Sequence, residues 1–203
     1  MTFYNFDASG EFVECSHEFE IDLNYLVTAH YKITMEGIER EENDVISRTE
    51  QESAGETDPE VVNSWVSHEL AFYDDLKVAA RNLALVALVT RLHHWVSRYA
   101  RRLNPDRKVK RLKTELAFLN SNLSHEPPVP ASFFEELVNL RDSVVHGDSK
   151  PEWDHDGKLR RVADKYVRGN YRVEISDEDF VGAIDAAIKQ VTWYDDELRA
   201  ISK

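Results

Sequence analysis

The sequence of 203 residues has little cysteine, proline and glycine, and it has no long apolar run. A single cysteine, Cys15, cannot close an intramolecular disulfide or build a cysteine zinc cluster, so the composition fits a reducing compartment. Seven glycines and six prolines are too few for a fibrous or low-complexity protein. The longest mainly apolar run, Leu83 to Val89, is far shorter than a membrane span, and the N-terminus lacks a basic segment followed by an apolar stretch. We therefore expect a soluble, unexported, cytoplasmic protein.

The residues that are present indicate one globular domain, or one domain with a small appendage. Hydrophobic residues make up 42% of the chain and charged residues 31%, which is enough apolar material for a real core. The net charge is −13, but it is unevenly placed: residues 1–60 hold 16 acidic and 3 basic side chains, whereas the remainder holds 22 of each. A local basic surface is therefore possible beyond residue 60.

Apolar side chains spaced by three and four residues predict about five helices. The first runs from Ser16 to about Ile38, and the second starts at a capping box of Thr57 and Glu60 and reaches Leu103. Asn104-Pro105 caps a third helix, whose apolar stripe comprises Val109, Leu112, Leu116, Leu119 and Leu123. The fourth begins at Ser132, with Glu135 as its capping partner, and ends near Gly147. Ser176 and Asp179 cap the last helix, whose inward residues are Phe180, Ile184, Ala187, Ile188, Val191 and Leu198.

The remaining segments indicate a small irregular part. Residues 2–14 predict two short strands or a loose arm, and residues 39–57 are acidic and predict a mobile connection. Residues 126–130 form a rigid, proline-rich link, and residues 150–175 contain alternation typical of a hairpin turning at Gly169-Asn170. The fold class is thus mainly all-α, a bundle of about five helices with a small β-hairpin or irregular insertion before the last one. The arm, first helix and acidic connection (1–57) pack on the helical domain (58–203).

The fourth helix carries the most unusual residue of the sequence. An arc of apolar side chains covers one side of it, and Arg141 falls within that arc. A guanidinium keeps its charge, so an arginine in this position needs an anionic partner, a cleft or a subunit boundary. His146 follows five residues later, directly before the glycine that ends the helix. The alternative interpretation is a histidine favoured by the helix dipole and an arginine paired with a neighbouring acid.

The segment Arg141-Asp142-Ser143-Val144-Val145-His146 resembles the Arg-x4-His signature of the HEPN (higher eukaryote and prokaryote nucleotide-binding) superfamily. The likeness includes the late position in a helix of an all-α domain and the polar residue after the arginine. It implies a compact helical bundle, often dimeric, that acts as a metal-independent endoribonuclease and serves as a toxin or phage-defence effector. Two copies of the motif would then meet in one composite cleft. The likeness covers the motif and the helical layout, at most residues 60 to 200.

The resemblance implies the roles of the catalytic residues. RNA carries its own nucleophile, the 2′-hydroxyl, so the protein must only move protons and stabilise charge on the phosphate. His146 suits the first task and Arg141 the second, while Asp142 could orient either one. The expected reaction needs no metal and no cofactor. The expected partners are RNA, a second copy of the chain and a possible antitoxin or regulatory protein, with no membrane.

A basic cluster between residues 98 and 113 offers a surface for a phosphate backbone. Eight bases fall within sixteen residues, and the predicted RNA-binding residues among them are Arg101, Arg102, Arg107, Lys110 and Arg111. If the third helix includes residues 107–111, three of these bases lie opposite its apolar stripe. The alternatives are a solvated face balanced by the acidic N-terminal segment, or a DNA-binding surface.

Other candidate residues favour ordinary structural roles. The pair His93-His94 has no third ligand at helical spacing, so packing or hydrogen bonding is favoured over metal binding. Asp154-His155-Asp156 indicates a polar turn in a loop, and Cys15 next to Glu14 is a poor nucleophile. The alternative function for the whole chain is a non-catalytic helical interaction or nucleotide-binding module.

Overall fold

The computed structural model describes residues 15–55, 58–168 and 172–201, most of which are helical. α1, a π-helical segment and α2 form one continuous helix, so the described residues contain five separate helices of three turns or more. The bounds are Cys15–Asp22 for α1, Leu23–Thr28 for the π-helical segment, Ala29–Glu52 for α2, Pro59–Leu103 for α3, Leu112–Asn122 for α4, Ala131–His146 for α5 and Asp177–Ile201 for α6. The predicted mainly α-helical bundle is confirmed. Within the described ranges, no helix is long and apolar enough to cross a membrane.

α3 runs through the middle of the bundle and contacts α2, α4, α5 and α6. Its inner face buries large side chains, namely Leu85, Leu88, Leu92, Trp95 and Tyr99. The apolar run at 83–89 is only partly enclosed, because Leu83 is 67% exposed. Asp58 caps the helix by accepting a hydrogen bond from the backbone N–H of Glu60 at 2.9 Å, with Pro59 in the first turn. Thr57, the predicted capping residue, lies outside the described residues.

The N-terminal helix packs on the same core. Phe19 and Leu23 are fully buried, and Trp95 donates a hydrogen bond from Nε1 to Asp22 at 3.1 Å. Tyr31, further along, donates to Asp177 of α6. These contacts join the N-terminal segment to α3 and α6 within one assembly of helices.

The prediction of a mobile connection at 39–57 is wrong for residues 39–52, because α2 continues to Glu52, while residues 56 and 57 lie outside the described residues. The helix keeps one half-buried stripe through this segment, formed by Ile38, Glu42, Val45, Ile46 and Thr49. Glu42 pairs with Lys77 of α3 at 2.6 Å. The other acidic residues of this segment are exposed, namely Glu39, Glu41, Asp44, Glu50 and Glu52. The few apolar residues of this segment are spaced by three and four residues, and this spacing is sufficient for a helix although the segment contains little apolar surface.

The third helix begins later than predicted, at Leu112, and residues 104–111 are not helical. Leu112, Leu116 and Leu119 form its buried stripe, whereas Val109 is 54% exposed. The bases from 107 to 111 therefore do not share a helix face. Glu115, which is 1% exposed, holds the non-helical segment through Arg107 Nε at 2.7 Å and the backbone N–H of Lys110 at 2.6 Å. A buried carboxylate needs such partners, so this segment is fixed by α4.

Two small antiparallel sheets lie between α5 and α6. β1 (Glu152–His155) pairs with β2 (Lys158–Arg161), and β3 (Val167–Arg168) pairs with β4 (Arg172–Val173). The second pair confirms the predicted hairpin, whose turn at 169–170 lies outside the described residues. The first pair was not predicted. Its Asp156-Gly157 turn has φ of 55° and 70°, which is typical of tight hairpins.

The helix ends next to these sheets follow the predictions in part. α5 ends at His146 with Gly147 as the C-terminal cap, as predicted, but it starts at Ala131 without a side-chain cap. Glu135 pairs instead with Lys113 of α4 at 2.8 Å, so the predicted Ser132–Glu135 capping pair does not form. α6 is capped as predicted, because the Asp179 N–H donates to Ser176 Oγ at 3.1 Å.

Gly147 is required by close packing, which leads to a testable prediction. A Cβ at this position would lie 2.9 Å from both the Ser143 carbonyl oxygen and Trp153 Cγ. Neither neighbour can retreat easily, since one is backbone and the other is a buried ring. We expect Gly147→Ala to lower the free energy of unfolding by about 1–3 kcal/mol in urea denaturation.

Gly182 on α6 provides the matched control. A Cβ there meets nothing within 4 Å, so Gly182→Ala is expected to raise stability by roughly 0.5–1 kcal/mol through helix propensity. Equal effects of the two substitutions would contradict the close approach of Trp153 to the end of α5.

Candidate active site

A cavity of about 410 Å³ opens where α3, α4, α5 and β2 meet, within the size range of small-ligand sites. All three predicted catalytic residues, Arg141, Asp142 and His146, line it. The remaining wall comes from His93, Arg111, Leu112, Lys113, Glu135, Val138, Asn139 and Arg160. Arg141 and His146 are five residues apart, and on an ideal helix such residues point in different directions. The cavity nevertheless extends along the end of α5 far enough to include both of them.

Arg141 lies at the edge of the buried face of α5. The fully buried residues of this helix are Phe134, Leu137, Leu140 and Ser143, and the Arg141 side chain is 28% exposed. Its Nε lies 3.0 Å from Asp142 Oδ1, so the two groups form an ion pair. That contact lacks hydrogen-bond geometry, and this buried Nε has no hydrogen-bond partner among the described residues. The rest of the guanidinium is partly exposed and lines the cavity, so it can bind an anionic ligand there.

His146 is the last residue of α5, and a tight reversal of the chain follows it. Asp148 and Ser149 adopt left-handed φ of 51° and 57°, which L-residues visit at some cost. Ser143 fixes the reversal, because its carbonyl accepts from the Ser149 N–H at 3.1 Å and its Oγ donates to the Lys150 carbonyl at 2.6 Å. The imidazole itself is exposed at the cavity wall. After this reversal the chain forms β1 and β2 beside α5, and Arg160 of β2 lines the same cavity.

His93 enters the cavity from α3, although the sequence favoured a structural role for it. Its Nε2 lies 2.6 Å from the Lys110 carbonyl oxygen. A carbonyl only accepts, so Nε2 carries a proton, and in the neutral ring Nδ1 is the nitrogen with the lone pair. The predicted hydrogen bonding of this histidine is therefore present. Its neighbour His94 lies apart from the cavity, and desolvation together with Arg98 and Arg91 lowers its pKa.

The five predicted RNA-binding residues separate into different environments. Arg111 lines the cavity and is 76% exposed. Arg107 is occupied by buried Glu115 and stacks over the Phe118 ring at 3.8 Å, so it acts as a structural residue. Lys110 contributes its backbone to His93 and Glu115. Arg101 and Arg102 lie in the last turn of α3, outside the cavity lining.

The cavity is cationic within an acidic protein. Four of its side chains are Arg or Lys and two are acidic, and both acids lie beside a cation, Glu135 next to Lys113 and Asp142 next to Arg141. Arg160 adds positive charge beyond these pairs, and so does the exposed Arg111, which lies 3.9 Å from the equally exposed Asp156. The first residues of α4, where the helix dipole is positive, also contribute to the wall. This arrangement attracts an anion such as a phosphodiester.

The site contains functional side chains that local sequence patterns did not identify. Asn139, Arg160 and His93 come from three different elements, and only tertiary packing brings them together. The Asp154–Asp156 segment, predicted as a loop, is strand β1 and its turn. Among the described residues, no three His, Cys, Asp or Glu side chains cluster in a way that could hold a metal ion.

Comparison of the chain with family models, with curated proteins and with solved structures finds no match. The site must therefore be interpreted from its own chemistry. Two imidazoles, a guanidinium with donor capacity, an amide and surplus positive charge surround one cavity. Such a set can bind a phosphate group, transfer protons and stabilise negative charge.

Proposed function

We propose that the protein is a metal-independent endoribonuclease of HEPN type, acting in the cavity at the end of α5. The observation that carries this proposal is the joint presence of Arg141, Asp142 and His146 in one cationic cavity. The sequence motif predicted that these residues act together, and their convergence on one cavity supports that prediction. The accessible imidazole and the partly exposed guanidinium are suited to the two roles that RNA cleavage requires.

The reaction is an intramolecular transesterification. The RNA 2′-hydroxyl loses a proton and its oxygen attacks the adjacent phosphorus, while the bond from phosphorus to the 5′-oxygen breaks and that oxygen gains a proton. The products are a 2′,3′-cyclic phosphate and a 5′-hydroxyl. His146 transfers one of these protons, and Arg141 stabilises the charge that builds on the phosphate oxygens. Asp142 orients the guanidinium that lies beside it.

The resemblance adds a cellular context to this proposal. A toxin or phage-defence effector, acting as a homodimer and restrained by an antitoxin or other regulatory protein, is the setting that it implies. The dimer has a direct test, since light scattering would give twice the mass of 23.5 kDa. A monomeric mass would contradict the composite cleft between two chains, and the cavity of a single chain would then be the site.

The experiment that tests the function is cleavage of a labelled RNA oligonucleotide in EDTA. We expect 2′,3′-cyclic phosphate ends, identified by mass spectrometry. The matched control replaces the single nucleotide 5′ of the cut with its 2′-deoxy form, which removes the nucleophile and should block that cut alone. Cleavage of the deoxy substrate at the same bond, or no cleavage of any RNA, would contradict the proposal.

A second candidate function is a non-catalytic interaction module, and exposed apolar side chains favour it. Tyr25, Leu26, Ile33 and Leu83 are between 49% and 73% exposed along the N-terminal helix and α3. Leu26 and Leu83 line the same groove, and exposed apolar side chains that share a surface in this way are typical of protein interfaces. The two functions differ in the effect of Arg141→Ala. A module predicts mainly a lower melting temperature, whereas the nuclease predicts loss of cleavage in a folded protein.

A further inference from the structure

We infer that His93 is the second proton-transfer residue of the cavity, so that one chain supplies both imidazoles of an acid–base pair. This inference rests on the proposed function and extends it, because the Arg-x4-His motif contains one histidine and His93 lies on another helix. Cleavage by 2′-hydroxyl attack moves two protons at opposite sides of the phosphorus. In the cavity of one chain the motif supplies a single imidazole, which can serve only one of these protons at a time.

The first observation behind this inference is position. His93 projects from α3 and lines the same cavity as Arg141 and His146, which lie on α5. The two histidines therefore approach the cavity from different helices. In an in-line displacement the attacking and leaving oxygens lie on opposite sides of the phosphorus, and side chains from two different helices are suited to serve one oxygen each.

The second observation is the fixed orientation of the ring. The Lys110 carbonyl accepts from Nε2 at 2.6 Å, which holds the imidazole in one tautomer and assigns proton transfer to Nδ1. That carbonyl is itself held in place, since Glu115 accepts from the Lys110 N–H and from Arg107. A buried carboxylate thus positions the non-helical segment, and the segment positions His93.

The charges around His93 favour binding of a phosphate beside it. They come from α4 (Arg111, Lys113), from α5 (Glu135, Arg141, Asp142, His146) and from β2 (Arg160). In the reaction, one imidazole accepts the proton of the 2′-hydroxyl as the oxygen–phosphorus bond forms. The other gives its proton to the departing 5′-oxygen, and exchange with water restores both histidines. No electron transfer and no further reactant are needed.

His93→Gln is the sharpest test, because glutamine places an amide N–H where the ring places Nε2. The variant keeps a donor for the Lys110 carbonyl but cannot titrate. We expect at least about a 100-fold loss of cleavage at the pH optimum, with an unchanged melting temperature. The bell-shaped dependence of rate on pH should lose one limb. His94→Gln, on the adjacent residue outside the cavity, should keep both limbs and the full rate.

A binding measurement on the unmodified protein gives a second test. Adding adenosine 3′-monophosphate should shift the His93 ring resonances in NMR spectra and leave those of His94 unchanged. A missing shift at His93 would overturn the inference, as would a His93→Gln variant with both limbs and a rate within about threefold of the unmodified protein. If the unmodified protein cleaves RNA and His146→Ala does not, such a result overturns the role of His93 alone. If the unmodified protein cleaves no RNA, the proposed function fails as well.

Discussion

Replacing His146 with alanine is expected to lower RNA cleavage by a factor on the order of 10³. His146 is the last residue of α5 and lines the cationic cavity, and the methyl group of alanine cannot accept or donate a proton in its place. The side chain is exposed, so the fold should tolerate the change. Single-turnover cleavage of an RNA oligonucleotide in EDTA measures the effect, and circular dichroism reports the fold.

His68→Ala is the matched control for this substitution. His68 is also an exposed histidine on a helix, but it lies on α3 next to Glu69 and Trp65, far along the chain from the cavity lining. We expect its cleavage rate to match that of the unmodified protein. A His146→Ala variant that cleaves as fast as His68→Ala would exclude His146 from the reaction.

The largest expected effect on stability comes from Arg107→Ala. The Glu115 carboxylate is 1% exposed and receives Arg107 Nε at 2.7 Å. Removing the arginine leaves that charge buried with only the Lys110 N–H as its described partner. Breaking a buried pair in this way typically costs about 3–5 kcal/mol. For a chain of this length that corresponds to a fall in melting temperature of roughly 6–20 °C, measured by calorimetry.

Arg111→Ala is the control, since it removes the same charge four residues away from an exposed side chain. Its stability should stay within about 0.5 kcal/mol of the unmodified protein, while RNA binding weakens and its salt dependence decreases. Equal melting temperatures for the two variants would contradict the structural role of Arg107. If Arg107→Ala and Arg111→Ala lost the same RNA affinity and neither lost stability, Arg107 would be an RNA-binding residue.

Much of the fold could be predicted from periodicity in the sequence. Ser176 and Asp179 form their predicted cap because a capping box is a local signal. α2 was cut short in the prediction because its stripe of Ile38, Val45 and Ile46 is sparse and only half-buried. α4 was predicted too early because Asn104-Pro105 resembles a helix start, whereas the buried Glu115 holds residues 104–111 in a non-helical path.

The sequence predicted only those site residues that lie close to one another along the chain. Arg141, Asp142 and His146 lie within one helix, and a motif therefore pointed to all three. His93 and Arg160 belong to α3 and β2, and nothing in their own segments indicates that these elements meet at α5. Arg107 was placed on the RNA-binding surface because charge alone does not reveal a buried partner eight residues later.

The central claim is that Arg141 and His146 act on one phosphodiester in one cavity. A double-variant cycle tests it most directly, using single-turnover cleavage of one RNA oligonucleotide in EDTA by the unmodified protein, Arg141→Ala, His146→Ala and the double variant. Residues that act as a unit give non-additive losses, so we predict that the double variant is hardly slower than His146→Ala. Full activity of Arg141→Ala, or losses that multiply in the double variant, would contradict the account.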